Sequence, residues 1–179
     1  MKIFIGGSAS DDISKKYIQD CENLLDILLK ENDLVFGVGH MGMMGLAYRL
    51  AKKHHRTIYG LCPKAYQKEV DIVPCDYLTL TENILDSTLK IFDVSDVIIL
   101  LPGGYGTVFE FFTAMQSVIC EEMTKPIIIY NSYGYYDQLL SFIKYMSNEK
   151  FAKDFLNKSF FVANNLEQVN SYLEKLIFQ

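Results

Sequence analysis

Short apolar segments alternate with longer amphipathic segments along the whole chain. The short segments are rich in Ile, Val, Phe and Tyr, and several are apolar throughout rather than at every second position, which is typical of strands buried on both faces. They read KIFIGG, LVFGVG, TIYGLC, YLTL, VIILLPGG, PIIIYN and FFVAN. The sequence therefore predicts about seven strands.

The longer segments have apolar residues at helical spacing. The first helix is predicted to begin behind Ser10, a suitable N-cap residue. Its apolar face is formed by Ile13, Tyr17, Cys21, Leu24, Leu25 and Leu28. Further helices are predicted to begin near Gly42, Ile84, Thr107, Tyr136 and Asn165. Asn164 and Glu167 have capping-box spacing at the last of these.

This alternation of strand and helix predicts an α/β fold with a doubly wound, mostly parallel sheet and helices on both faces. No linker or low-complexity segment divides the chain, so residues 1–179 are expected to form a single domain. Residues 62–76 are expected to form a long loop over the sheet edge. Ligands of such sheets bind outside the carboxyl ends of the strands, where the strand order reverses.

The stretch PGGYGT at 102–107 contains three glycines between a buried strand and a predicted helix start. Glycines let a backbone approach a ligand closely, and first-turn N–H groups have no partner within the helix. The amides from Gly104 to Thr107, the Thr107 hydroxyl and the helix dipole could therefore hold a phosphate. No lysine follows, which excludes the ATPase phosphate loop. A tight turn without a ligand remains the alternative.

The stretch GVGHMGMMG at 37–45 has G-x-G-x-x-G spacing after the second predicted strand. A dinucleotide site would need an acidic residue about 20 residues further on, and TIYGLCP supplies none. We therefore predict a second nucleotide-facing loop rather than a nicotinamide site. His40 is a candidate ligand contact in this loop. Its methionines fit either core packing or an apolar wall for a base.

Glu110 has two interpretations. Thr107 and Glu110 have capping-box spacing, in which the carboxylate would only accept from a backbone amide. In the functional interpretation Glu110 faces a bound phosphosugar and stabilises the positive charge that develops at C1 when a glycosidic bond breaks.

Composition limits the partners of the chain. A net charge of −5, with no basic cluster beyond KKHHR, disfavours a nucleic-acid partner. No window reaches the roughly 20 apolar residues of a membrane span, and the apolar run at the amino terminus is too short for a signal peptide. We therefore expect a cytoplasmic protein. The four cysteines are widely spaced, which favours reduced thiols over a metal site or a disulfide framework.

The motif PGGYGTVFE at 102–110 resembles the P-G-G-x-G-T-x-x-E signature of the Lonely Guy family, which are cytokinin-activating nucleoside 5′-monophosphate phosphoribohydrolases long mislabelled as lysine decarboxylases. IFIGGSAS, GVGHMGMMGLA, SDVIILLPGG and KPIIIYNSYGYYDQLL are similar to further family segments. The resemblance covers nearly the whole chain.

This resemblance implies a Rossmann-like homodimer that hydrolyses the N-glycosidic bond of AMP-like nucleotides to a free base and ribose 5-phosphate, without a metal or organic cofactor. Glu110 is the implied catalytic carboxylate. The substrate-binding positions are implied at Ser8, Gly39, Met44, Glu69, Ser87, Gly103, Gly104, Tyr105, Gly106 and Thr107. Glu69 also fits an exposed loop carboxylate.

The chain departs from the family at one motif. Where the family has M-x-x-R-K this chain reads ILDSTLK, so Ser87 and Thr88 stand at the positions of the arginine and lysine. Lys90, one helical turn from Ser87, is a candidate replacement, although an ammonium does not reproduce a guanidinium fork. A nucleotide-binding protein without efficient hydrolysis is therefore the main alternative, followed by base transfer between sugars. An amino-acid decarboxylase has the least support.

Overall fold

The described part of the chain folds around one parallel β-sheet. The structure, a computed structural model, describes residues 1–153 and 159–177. The strands are β1 Lys2–Gly6, β2 Asp33–Gly37, β3 Ile58–Pro63, β4 Tyr77–Thr81, β5 Val97–Leu100, β6 Ile127–Tyr130 and β7 Phe161–Ala163. They lie in the order β4-β3-β2-β1-β5-β6-β7, and every neighbouring pair is parallel. All seven strands coincide with the predicted apolar runs.

In the described residues an α-helix follows each strand except β3, which is followed by a 3₁₀ segment. The α-helices are α1 Lys15–Leu28, α2 Gly42–Lys53, α3 Ile84–Val94, α4 Tyr105–Ile119, α5 Asp137–Asn148 and α6 Leu166–Ile177. Short 3₁₀ segments span Lys64–Asp71 and Ser132–Gly134. The predicted α/β class is confirmed. The expected loop at 62–76 is corrected in part, because β3 continues to Pro63 and a 3₁₀ segment follows it.

The sheet is buried on both faces by two apolar clusters. Ile3 and Ile5 of β1 point to the face covered by α1, α2 and α6. Phe4 points to the opposite face, which α3, α4 and α5 cover. This double burial explains why the strands are apolar throughout, since both sides of each central strand contact helices.

Two helix starts differ from the sequence prediction. The N-cap of α1 is Ser14 rather than Ser10. At α6, the Asn165 side chain accepts from the Gln168 amide at 3.0 Å, and the Gln168 side chain accepts from the Asn164 amide at 2.7 Å. The capping residues therefore lie one position later than the predicted pair of Asn164 and Glu167, because several polar residues there satisfy the same spacing rule.

The strand order reverses at β1, which has β2 on one side and β5 on the other. The loops that follow β1 and β5 consequently run side by side. The Ser8 amide donates to the Pro102 carbonyl at 3.1 Å, and the Leu101 amide donates to the Gly6 carbonyl at 2.8 Å. This pairing brings two of the glycine-rich loops together at the carboxyl edge of the sheet.

No helix in residues 1–153 or 159–177 is long and apolar enough to cross a membrane.

Candidate functional site

A cavity of about 640 Å³ opens at the carboxyl edge of the sheet. Its walls come from the loops after β1, β2 and β3, from one side of α3 and from the first turns of α4. The lining residues are Gly7, Ser8, Ala9, Ser10, Gly37, Val38, Gly39, His40, Met41, Met44, Pro63, Tyr66, Glu69, Ile84, Ser87, Thr88, Ile91, Gly104, Gly106, Thr107 and Glu110. The size and concave form suit a small organic ligand.

The start of α4 faces this cavity with no side chain capping it. Gly104 is the N-cap, its carbonyl accepts from the Val108 amide at 3.0 Å, and no side chain of residues 1–153 or 159–177 bonds to the first-turn amides. The amides of Tyr105, Gly106 and Thr107 therefore remain available, with the positive end of the helix dipole, for an anion. Thr107 is the third helical residue and not the N-cap, so the capping-box interpretation of Glu110 is wrong.

The glycines of the 102–107 turn differ in what surrounds them. A methyl group at Gly104 or Gly106 would meet no atom within 4 Å. A methyl group at Gly103 would collide with the Thr107 side chain and with the backbone of Gly7. Gly103 is thus required for close packing of the two loops, whereas Gly104 and Gly106, which both border the cavity, have open space around them.

Glu110 borders the cavity about one and a half turns into α4, and the residue is half-buried there. A methyl group at Gly6 would lie 2.6 Å from Oε2 of Glu110, so the carboxyl sits against the end of β1. Burial raises the pKa of the Glu110 carboxyl to about 8. The side chain is therefore mostly protonated at neutral pH when the cavity is empty, since desolvation disfavours the charged form.

The start of α2, in the other glycine loop, is already occupied by protein groups. The Gly42 amide donates to Oδ1 of Asp11 at 2.7 Å, and the Met43 amide donates to the Ser8 carbonyl at 2.7 Å. Asp11 thereby neutralises the positive end of this helix. The loop contributes Gly39, His40 and Met44 to the cavity wall, but its helix start does not offer a free anion site.

His40 and Glu69 form a pair inside the cavity. Nδ1 of His40 lies 2.6 Å from Oε2 of Glu69, and the two side chains are 38% and 31% exposed. The sequence analysis considered each residue separately and missed their contact. They are 29 positions apart, so only the parallel pairing of β2 with β3 brings their loops together.

The α3 wall of the cavity carries no cation. Ser87 and Thr88 are buried there, with 4% of each residue exposed. Nζ of Lys90 bonds to Oδ2 of Asp86 at 3.0 Å, and Lys90 does not line the cavity. Among the described residues, no lysine or arginine borders it. The tentative catalytic assignment of Lys90 is not supported by this placement.

Two tyrosines hold the loop that follows β5. The Tyr135 hydroxyl donates to the Gly103 carbonyl at 2.8 Å, and the Tyr136 hydroxyl donates to the Leu101 carbonyl at 2.7 Å. Burial raises the pKa of Tyr136, which keeps this donor protonated.

Most residues implied by the family resemblance share this cavity. Its lining includes Glu110, Ser8, Gly39, Met44, Glu69, Ser87, Gly104, Gly106 and Thr107. Gly103 lies behind it, and the Tyr105 side chain is 97% exposed to solvent. The described residues contain no cluster of His, Cys, Asp and Glu that could hold a metal ion.

The parallel sheet, its reversal at β1 and the cavity at that point define a Rossmann-type α/β protein. A family model described as "Possible lysine decarboxylase" matches residues 44–173. The chain belongs to this family, the Lonely Guy family whose signature the 102–110 motif resembles.

Known relatives agree with this membership. The chain is 28% identical over 177 residues to "Cytokinin riboside 5′-monophosphate phosphoribohydrolase LOG2" of Arabidopsis thaliana, covering 98% of this chain and 82% of that protein. It is 30% identical over 150 residues to LOG1 of the same species, covering 83% and 70%. The molybdenum cofactor carrier protein of Chlamydomonas reinhardtii has the same fold, with a TM-score of 0.70, 17% identity and coverage of 98% and 96%.

Proposed function

We propose that this protein hydrolyses the N-glycosidic bond of a nucleoside 5′-monophosphate and releases the free base and ribose 5-phosphate. The main support for the proposal is the position of Glu110, which borders the same cavity as the uncapped start of α4. A phosphate held by the free amides would bring its attached sugar into reach of this carboxyl.

The proposed chemistry breaks the C1′–N bond of the nucleotide. The bonding electron pair leaves with the base, which takes up a proton, while a water molecule adds to C1′ and loses its proton. Positive charge develops on the sugar before the water adds. Glu110 in its ionised form would stabilise that charge in a site shielded from solvent. Turnover is accordingly expected to increase as the pH rises towards and beyond about 8, where the carboxyl ionises.

The family members named above support this substrate class. Both Arabidopsis relatives are named as phosphoribohydrolases of cytokinin riboside 5′-monophosphates. The proposal for this chain is limited to nucleoside 5′-monophosphates, because its cavity differs from the family pattern at Ser87.

Binding without turnover is a second candidate function, and one observation favours it. No lysine or arginine borders the cavity in the described residues, so no guanidinium or ammonium assists departure of the base there. Loss of one such electrostatic contact commonly lowers turnover by about 10²–10³-fold. The protein would then hold a nucleotide as a sensor or a partner subunit.

A screen of nucleoside monophosphates separates the two functions. Release of ribose 5-phosphate and thermal stabilisation by ligand are measured on the same samples of wild type and Glu110→Ala. If the protein is a hydrolase, we expect the wild type to release ribose 5-phosphate. Glu110→Ala should release it much more slowly but should still be stabilised by the nucleotide. Release that continues at the full rate in Glu110→Ala contradicts the enzyme proposal. Thermal stabilisation by a nucleotide without release of ribose 5-phosphate indicates binding without turnover. Exchange of the base that occurs only when a second base is added indicates base transfer between sugars.

We also propose that the protein forms a homodimer through α3 and α4. Both helices cover the same face of the sheet. Leu85, Leu89 and Phe109 on these helices are 38–51% exposed, more apolar surface than isolated exposed residues provide. Light scattering tests this surface: Leu89→Glu is expected to convert a dimer to a monomer, and a monomeric wild type rules the proposal out.

A further inference from the structure

The cavity has two chemically different ends. The uncapped start of α4 follows β5, whereas His40 and Glu69 follow β2 and β3 on the far side of β1. Adjacent strands are about 4.8 Å apart, so the loop after β2 lies roughly 10 Å along the sheet edge from the loop after β5. A ligand anchored by a phosphate at α4 would extend its other end towards His40.

The walls around His40 are mostly apolar. Helix α3 packs over β2 and β3 and contributes two isoleucines to this end. The apolar and aromatic side chains lining it are Val38, Met41, Met44, Tyr66, Ile84 and Ile91. Tips of Ile91 and Met44 both come within 4.0 Å of the position a methyl group would take on Gly37. Such walls suit the flat faces of a heteroaromatic base.

Within these walls, the pair of His40 and Glu69 is a polar feature that a base could contact. An ionised carboxylate can only accept hydrogen bonds, so the contact with Oε2 of Glu69 places a proton on Nδ1 of His40. Nε2, on the opposite side of the ring, has no hydrogen-bond partner among the described residues. The carboxylate thus fixes the orientation of the imidazole and leaves Nε2 for a ligand.

We propose that His40, held in place by Glu69, recognises the base of the nucleotide through a hydrogen bond from or to Nε2. His40 is therefore a specificity-determining residue, and Glu69 is its positioning residue. The assignment rests on the ligand class of the proposed function but does not need turnover. The ligand is a base with a polar edge, enclosed by the methionine and isoleucine side chains.

A purely structural role is the alternative for this pair. The contact also joins the loop after β2 to the 3₁₀ segment Lys64–Asp71, so it could serve only to hold that segment. The two roles differ in which ligands they affect. Recognition of a base changes binding of the whole nucleotide but leaves binding of its sugar phosphate unchanged.

Calorimetric titration of the full chain with AMP and with ribose 5-phosphate makes this distinction. His40→Phe keeps a ring but removes both nitrogens, and it is expected to weaken AMP binding about tenfold, the loss of one hydrogen bond, with ribose 5-phosphate binding unchanged. Glu69→Gln is expected to weaken AMP binding by a smaller factor, again without affecting ribose 5-phosphate. His54→Phe is the matched control, because His54 pairs with Asp26 at 2.9 Å away from the cavity.

Each contrary result has a distinct meaning. If His40→Phe weakens the binding of AMP and of ribose 5-phosphate equally, the pair has a structural or phosphate-binding role and does not recognise the base. If AMP binding is unchanged in both variants, recognition of the base by His40 is ruled out. Glu69→Gln decides the question if His40→Phe does not fold. If the wild type binds ribose 5-phosphate and AMP equally tightly, recognition of the base is refuted, but the proposed ligand class is not. A wild type that binds neither refutes the proposed ligand class as well.

Discussion

Oε2 of Glu110 lies against Gly6, at a point where a methyl group on the glycine would be 2.6 Å from the oxygen. This contact joins the last residue of β1 to the second turn of α4 across the strand-order reversal. A side chain at Gly6 would push the carboxyl away from its present position. Burial of the carboxyl raises its pKa, because desolvation disfavours the charged form.

Replacement of Glu110 by glutamine is expected to stabilise the protein at alkaline pH. The folded-state pKa of about 8 lies above the ordinary value of 4.5, so the folded protein binds more protons than the unfolded chain between these values. The contribution of this carboxyl to stability is therefore fully present below about pH 4.5 and decreases as the pH rises through 8. Glutamine has no proton to lose, so the difference in Tm between Glu110→Gln and wild type should increase from pH 5 to pH 8 and then level off.

Glu174→Gln, on the exposed surface of α6, provides the control for this pH series. Its difference from wild type should not grow over the same range. A difference for Glu110→Gln that stays constant from pH 5 to pH 9 shows that the carboxyl titrates normally.

Gly106→Ala is expected to separate stability from ligand binding. Gly106 lies in the first turn of α4 with open space around it, so alanine should stabilise the helix by about 0.5–1 kcal/mol. Gly106 also borders the cavity, so we expect the added methyl to weaken binding of ribose 5-phosphate by tenfold or more. Chemical denaturation and calorimetry measure the two effects.

Gly103→Ala is the matched comparison, since its methyl would collide with Thr107 and Gly7. It should lower the free energy of unfolding rather than raise it. If Gly106→Ala binds ribose 5-phosphate as tightly as wild type does, the phosphate does not lie at this turn.

Ser87→Arg is expected to increase turnover. Ser87 borders the cavity at the position where the family resemblance places an arginine. A guanidinium there would restore a cation to the cavity, and it would lower the pKa of Glu110 and increase its ionised fraction at neutral pH. Release of ribose 5-phosphate from AMP should rise by about 10–100-fold. Ser87→Gln adds a long side chain without charge and should not increase turnover. If Ser87→Arg folds and its turnover is unchanged, a cation at this position does not assist hydrolysis.

The two tyrosine contacts to the loop after β5 should have different consequences. Tyr136→Phe leaves the buried Leu101 carbonyl without its donor, so the free energy of unfolding should fall by about 1–3 kcal/mol. Tyr135 is 41% exposed, and water can replace its hydroxyl at the Gly103 carbonyl, so Tyr135→Phe should change stability by less than about 0.5 kcal/mol.

Tyr135→Phe should nevertheless weaken phosphate binding, because the Gly103 carbonyl belongs to the peptide that carries the Gly104 amide. Calorimetry with ribose 5-phosphate tests this effect. Equal binding by Tyr135→Phe and wild type shows that the turn keeps its shape without the tyrosine.

The sheet could be predicted from the sequence because burial on both faces requires runs of apolar residues, and each of the seven runs became a strand. The helix starts were harder to predict. Ser10 and Ser14 are equally good N-cap residues, and only the path of the chain after β1 selects Ser14. Likewise, Thr107 fits a capping box by spacing, but Gly104 begins the helix and places Thr107 inside its first turn.

The candidate site was predictable where one segment carries it. The glycine turn and Glu110 lie within nine residues of one another, so their proximity follows from a strand, a turn and a helix in succession. His40 and Glu69 come from different loops, and their contact depends on strand pairing that no local pattern encodes. Lys90 differs from this pair, because its partner Asp86 lies four residues earlier on the same helix, and ion pairs at this spacing follow from the local sequence.

The proton on Glu110 makes ligand binding a proton-linked reaction. A phosphate monoester seated at the start of α4 adds negative charge near this carboxyl and so holds its proton more tightly. Above pH 8, each molecule of ligand bound would then draw hydrogen ions from the solution. The heat of association would consequently vary with the ionisation enthalpy of the buffer, and affinity would decline as the medium becomes more alkaline.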